Sequence, residues 1–284
     1  MKLFLCLLAV SATGLMAQDA PDFHAHLGLQ LWSMRTQMKE NVYFALNIAK
    51  GYELTEVETA GTYDVPVETF AQMLKVLGYN AVSAHISYEV LKKDLPGAIR
   101  DAKALGAKFI ICPILPHGKD GIDEATAHRV AAEFNAWGEA CRAAGLRFGY
   151  HPHGIEFRAL PGAKGDTPFD VLVRETKPEL VCYEMDVFWV FHAGQDPVKL
   201  LLKYPNRWAL MHLKDIRKGA ATGLWSGSAP VGDNVPVGDG QINWPDVLRT
   251  ARDIGVQHYF IEDETAAPLQ NIGASLAYLN GLKL

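Results

Sequence analysis

The chain has 284 residues, of which 49% are hydrophobic and 21% charged, with a formal net charge of −5. That composition is that of a globular chain long enough to bury a core without disulfides or a structural metal. No Lys/Arg-rich run is present, so a nucleic-acid partner is not expected. Residues 1–17 have the order of a secretory signal: Lys2, the apolar run Leu3 to Val10, then Leu15-Met16-Ala17 before Gln18. The apolar part is too short to span a bilayer, and Cys6 has no lipobox before it. An exported protein, periplasmic or secreted, with no membrane attachment after cleavage is expected. Residues 18–26 read as a flexible lead-in. Cys112, Cys141 and Cys182 remain, an odd number without C-x-x-C spacing, each in an apolar run, and are read as core residues.

From residue 27 onward one unit recurs: a helical segment, a Gly or Pro stop, and a short apolar strand. The junctions fall at Gly51, Gly78, Gly106, Gly145 and Gly255, where glycine suits the turn past a helix end, and at Pro178 and Pro205. Eight strands are expected: Leu27–Leu31, Leu54–Glu58, Ala81–His85, Phe109–Cys112, Arg147–His151, Val181–Asp186, Ala209–Leu213 and Tyr259–Glu262. Among the helices, one covers Val67–Leu77 after Pro66, one runs from Asp123-Glu124 to Ala144, one covers Asp246–Ile254 after Pro245, and one covers Leu269–Leu282. Pro96 breaks or kinks the segment after Tyr88. Eight alternating units point to a single parallel (β/α)8 barrel over residues 27–284, and no G-x-G-x-x-G follows the first strand. Two long connections, 152–167 and 214–243, follow the fifth and seventh strands, on the face where such barrels bind substrates.

The polar residues collect at that same face. Gln30 and Trp32 end the first strand, Glu58 the second and His85 the third. The fifth runs into FGYHPHGIEF, with His151, His153 and Glu156, and the sixth ends at Asp186. The seventh carries His212 and Lys214 in alternation, and the eighth ends at Glu262, with Asp263 and Glu264 following. His151, Asp186, His212 and Glu262 form a mixed oxygen and nitrogen set suited to one divalent ion, Mn²⁺, Mg²⁺, Co²⁺ or Zn²⁺, with positions left for a substrate's oxygens. Glu264 is read as a solvated residue or helix cap.

With these residues in place the chain resembles the xylose isomerase-like barrels known as sugar phosphate isomerases/epimerases. The resemblance rests on Tyr150–Phe157, Met185–Val190 with Ala193–Pro197, Met211–Asp215, Val237–Trp244 and Ile261–Asp263, and runs over residues 27–283. It implies ion ligands at Asp186, His212 and Glu262. The fifth strand offers His151 where many epimerases of the family carry a glutamate, and Asn243 stands where relatives often carry Asp. The expected reaction is proton removal beside a carbonyl through a metal-stabilised enediolate, with His153 or Glu156 as base and Lys214 as electrostatic or acid partner. Gln30, Trp32, Glu58, His85 and Phe188 are expected to contact the sugar. Isomerisation or epimerisation of an unphosphorylated sugar or ketosugar is the first expectation. Loss of a β-oxygen from a keto-sugar, keto-glycoside or inosose is the alternative. Rivals of other classes are a secreted non-catalytic sugar-binding barrel and a phosphodiesterase resembling endonuclease IV. The second of these lacks the basic surface that it needs. A homo-oligomer is compatible with the chain.

Overall fold

The computed structural model describes residues 23–162 and 165–284. The expected signal, 1–17, lies outside the described residues, as do residues 18–22 of the lead-in. Residues Phe23–His26 form a 3-10 turn, with Phe23 buried against the Tyr259 ring at 5.9 Å. Burying that phenyl ring holds the turn against the barrel.

The barrel strands are β1 (Leu27–Gln30), β2 (Glu56–Thr59), β3 (Asn80–His85), β4 (Phe109–Cys112), β5 (Arg147–Tyr150), β6 (Val181–Asp186), β7 (Trp208–Leu213) and β10 (His258–Ile261). All neighbours are parallel, and the pairing of β1 with β10 closes the barrel. β8 (Asp215–Ile216) and β9 (Asn234–Val235) form a small antiparallel ladder. The long connection after the seventh strand is therefore partly structured. The ladder brings its two ends together, and Asp215 then accepts hydrogen bonds from Gly238 N (2.9 Å), Gly240 N (3.2 Å) and Trp244 Nε1 (2.7 Å).

Strand boundaries match the expected ones within two residues because each strand is a short apolar run stopped by a turn. Helix Val67–Leu77 matches in full, with Pro66 at its N-cap. Helix Glu124–Ala143 starts on Asp123, whose side chain accepts from Thr126 N. The Tyr88–Leu105 helix is kinked at Asp94 (φ −148°, ψ 68°), two residues before Pro96, where the Asp94 side chain accepts from Gly97 N at 2.9 Å and caps the stretch that follows. Gly78, Gly106, Gly145 and Gly255 take positive φ, as a helix stop requires. Gly51 does not. There the chain continues as a 3-10 turn and the left-handed residue is Glu53, at φ 60°.

Side chains alternate along a strand, so every second residue enters the barrel. Val82, Phe109, Ile111, Cys182, Leu210 and Phe260 make an apolar plug. Cys112, Cys141 and Cys182 are buried free thiols, as their apolar surroundings require. Below the plug, His26 and His258 flank Glu56. Above it the interior becomes polar and ionisable.

Candidate metal centre and substrate cavity

The upper layer begins with two buried carboxylates. Glu58 on β2 is fully buried; its Oε2 accepts from Gln30 Nε2 (2.7 Å) and lies 2.6 Å from His212 Nε2 and 2.9 Å from His85 Nε2. Its Oε1 accepts from Ser83 Oγ at 2.5 Å. Glu184 on β6 is also fully buried, with Oε2 2.8 Å from His85 Nε2 and 3.1 Å from His151 Nδ1. Burial disfavours the Glu58 charge, yet the His85 and His212 charges outweigh it and hold the carboxyl well below its ordinary range. Burial and the Glu58 charge push Glu184 the other way, up to about 7. Burial opposes protonation of His85, but Glu58 and Glu184 raise it to about 9.

One turn of side chains higher, the second nitrogen of each histidine faces Asp186. His151 Nε2 is 3.7 Å and His212 Nδ1 3.8 Å from Asp186 Oδ2, and His212 Nδ1 is 3.2 Å from Glu262 Oε2. Asp186 is the N-cap of helix Val187–His192. Its Oδ1 accepts from Trp189 N at 3.0 Å, while Oδ2 is buried with no hydrogen-bond partner. A buried carboxylate oxygen without a donor is unfavourable unless a cation sits on it. Burial accordingly raises the Asp186 pKa. Asp186, His212 and Glu262 lie close enough to share a divalent ion, and His151 Nε2 faces the same Asp186 oxygen, so two imidazoles and two carboxylates gather there, with each histidine's far nitrogen on a buried carboxylate. That is how proteins orient histidine ligands. His85, His151, Glu184 and His212 also lie close enough to share an ion. Two residues of each set line the cavity, His85 and His151 of the lower and His151 and Glu262 of the upper, and the upper set is the one that also holds the unpartnered Asp186 Oδ2.

Lys214, one residue past the end of β7, is 2% exposed and lies 3.3 Å from Glu262 Oε2 while also donating to Glu264 Oε2. Burial opposes its charge, but Glu262 and Glu264 outweigh burial and raise its pKa. Burial likewise opposes the charge of Glu262, but Lys214 and then His212 hold that carboxyl well below its usual range. Glu264 also accepts from Trp32 Nε1 at 2.8 Å and lines the cavity, so it is a wall residue rather than a solvated cap. His153 stacks on Trp189 at 4.3 Å with its Nδ1 buried and unpartnered. Burial, then the Lys214 charge, push it down to about 3.

Several expected contacts sit differently. Trp32, His85 and His153 line the cavity, but Gln30, Glu58 and Phe188 are fully buried behind it. Gln30 and Glu58 serve the histidines, and Phe188 lies beneath the Lys214 ammonium at 5.2 Å. Glu156 is fully buried, accepts from the Tyr150 hydroxyl and His153 N, and is pushed up to about 7 by burial. It shapes the loop and does not face the cavity. Glu184 was not singled out from the sequence. Its signal is a lone acid in an apolar strand, two residues before Asp186 and so on the same face.

The cavity above the centre has a volume of about 820 Å³, and among the described residues no lysine or arginine lines it. The xylose isomerase-like TIM barrel family matches residues 49–282. An inosose dehydratase from Clostridium botulinum (strain Alaska E43 / Type E3) is 27% identical over 187 residues, which are 59% of this chain and 60% of that protein. The chain thus aligns with less than two thirds of that relative's length. A sugar phosphate isomerase/epimerase from Parabacteroides distasonis ATCC 8503 is 25% identical, with a TM-score of 0.72 over 90% of this chain and 96% of that structure. The IolI protein, solved with a zinc atom, has a TM-score of 0.67 over 90% of this chain and 95% of its own. At 12% identity the likeness is one of fold.

Proposed function

This chain belongs to the xylose isomerase-like TIM barrel family, and from that premise we propose that it is a divalent-metal-dependent enzyme acting on an unphosphorylated sugar or cyclic polyol that carries a ketone. The observation that carries the proposal is the pair of histidines, each with one nitrogen on a buried carboxylate and the other toward the unpartnered Asp186 Oδ2. His151, Asp186, His212 and Glu262 would hold the ion. Such an ion, zinc in the IolI protein, supplies polarisation of a carbonyl oxygen, which acidifies the hydrogen on the adjacent carbon. His153, which lines the cavity wall and is kept neutral by burial, takes that proton. Lys214 acts as the electrostatic partner, fixing Glu262 and Glu264. Trp32 and His85 flank the sugar ring. That no lysine or arginine among the described residues lines the cavity supports an unphosphorylated substrate.

Loss of a β-oxygen is placed first among the outcomes. The C–H electron pair becomes the new double bond, and the C–O bond breaks toward oxygen, which leaves protonated. Supporting this order are the inosose dehydratase relative and the placement of carboxylates. Among the described carboxylates near the centre, Glu262 and Glu264 both follow β10 and Glu156 is turned away from the cavity, which disfavours a two-carboxylate exchange between faces. Isomerisation or epimerisation is the second reading, favoured by the Parabacteroides distasonis structure. The test is metal analysis of the purified protein, followed by incubation of the ion-loaded enzyme with ketosugars and inososes in D₂O. Product short of one water supports elimination, and solvent deuterium in intact sugar moves isomerisation or epimerisation ahead. A protein that needs no divalent ion, or that neither eliminates nor exchanges deuterium with any of them, sinks the proposal. Export is proposed from residues 1–17, and a mature N-terminus at Gln18 is the expected result of N-terminal sequencing.

A further inference from the structure

The barrel also carries ligand-type side chains at the end away from the cavity. His26 closes the 3-10 turn before β1, Glu56 opens β2 and His258 opens β10. β1 pairs with both of those strands, so the three residues meet at the seam where the first and last strands close the barrel. His26 Nδ1 lies 3.3 Å from Glu56 Oε1, and His258 Nδ1 lies 2.7 Å from Glu56 Oε2. The two imidazoles stand 5.2 Å apart, edge to face. One ligand atom from each of the three residues lies within 4.8 Å of the others. Phe260, the next inward residue after His258, lies parallel to its ring at 6.5 Å, and Gly28 leaves it room, since a Cβ there would come within 2.8 Å of the Phe260 ring. The apolar plug thus separates the trio from the upper centre: His258 and Glu262 are four residues apart along one strand line, about 13 Å. Burial opposes the Glu56 charge, but His258 and then His26 outweigh it and lower its pKa, so the group is an anion at neutral pH. One carboxylate balances one imidazolium, and a second imidazolium beside it is repelled by the first. Two neutral imidazoles and a carboxylate are instead a ligand set.

We propose that His26, Glu56 and His258 form a second divalent-ion site, separate from the upper centre, that takes a borderline ion of the zinc class. Two imidazole nitrogens and a carboxylate oxygen select zinc, cobalt or nickel over magnesium and calcium, which prefer oxygen ligands. The His26 side chain is 40% exposed, so the site has a side open to water for the remaining positions. Tetrahedral zinc ligands stand about 3.3 Å apart, so the set contracts slightly, through His26, which sits on a turn rather than in a strand. The bound ion ties β1, β2 and β10 together and holds the closing seam rather than taking part in turnover. An ion on so open a site leaves on desalting, so this site is read by titration and not from the ion content of purified protein. The proposal does not depend on the function proposed above.

The test titrates zinc into the desalted full chain against a chromophoric chelator, in wild type and in Asp186→Asn, each with and without His26→Gln or His258→Gln. Glutamine keeps a donor for Glu56 but is a poor zinc ligand. One zinc equivalent is expected that Asp186→Asn retains and that each glutamine variant weakens at least about tenfold. In Asp186→Asn, zinc at about a hundredfold excess over its dissociation constant should raise Tm by about 5 °C, and His26→Gln should abolish that rise. Zinc bound no tighter than millimolar in Asp186→Asn overturns the proposal and leaves the trio an ion-pair cluster. Zinc uptake that both glutamine variants leave unchanged overturns it as well. If His258→Gln does not fold, the exposed His26→Gln decides alone.

Discussion

Glu58→Gln isolates the claim that a buried carboxylate, rather than the ligands alone, builds the metal centre. Glu58 Oε2 lies 2.6 Å from His212 Nε2, 2.7 Å from Gln30 Nε2 and 2.9 Å from His85 Nε2, and Oε1 accepts from Ser83 at 2.5 Å. Glutamine keeps the shape but removes the charge, and turned with its amide nitrogen toward Gln30 it would meet a donor, leaving the orientation with that nitrogen toward the Ser83 hydroxyl. His212 then loses the group that fixes its tautomer and aims Nδ1 at Asp186 and Glu262. Removing such a partner weakens ion binding about 10–100-fold, or about 1.4–2.8 kcal/mol. The ion-free fold should lose no more than ~3 kcal/mol, the lower end for breaking a buried pair, because His85 and His212 can shed protons instead of staying charged. Chelator competition with Zn²⁺ and Mn²⁺ gives the affinity, and urea unfolding of ion-free protein gives the stability. Ser83→Ala, which leaves the charge in place, is the control, with affinity changed less than about threefold. Wild-type affinity in Glu58→Gln refutes the reasoning.

Three further outcomes are expected. Asp186→Asn keeps an N-cap for helix Val187–His192 but removes the charge at Oδ2; bound ion per chain, read by elemental analysis, falls toward zero while ion-free thermal stability does not drop. Asp215→Ala strands the Gly238, Gly240 and Trp244 donors and should destabilise by at least ~3 kcal/mol, and a loss below ~1 kcal/mol in urea unfolding contradicts its role in pinning that connection. Burial opposes the Asp170 charge, but Lys203, Tyr204 and Thr167 outweigh it and lower the folded pKa. Its stabilisation is complete above the unfolded value near 3.8 and is lost as pH falls through the folded one, so Asp170→Asn should flatten the acid side of the stability curve, and unchanged acid dependence counts against it.

Much of this molecule was legible before any coordinates. Strands such as Phe109–Cys112 and Val181–Asp186 are local apolar runs, stopped by glycines whose positive φ ends the preceding helix, and local chemistry is what a sequence records. The same locality put His151, His153, Asp186, His212, Lys214 and Glu262 at one end of their strands. Contacts between strands distant in sequence were not legible. Glu58 and His212 are 154 residues apart. Only barrel closure turns Glu58 from an apparent sugar contact into the group that orients a histidine, and only the register of β5 beside β6 shows Glu184 as a second one. Glu156 looked like a base because it sits near two histidines, yet the turn after β5 folds it back onto Tyr150. The sequence by itself determined the alternation, the eight units and the residue types at the mouth, since these depend on neighbours along the chain. Which atoms of those residues face one another, and which are left facing the cavity, was decided by closure of the barrel, because a side chain's partner there comes from another strand.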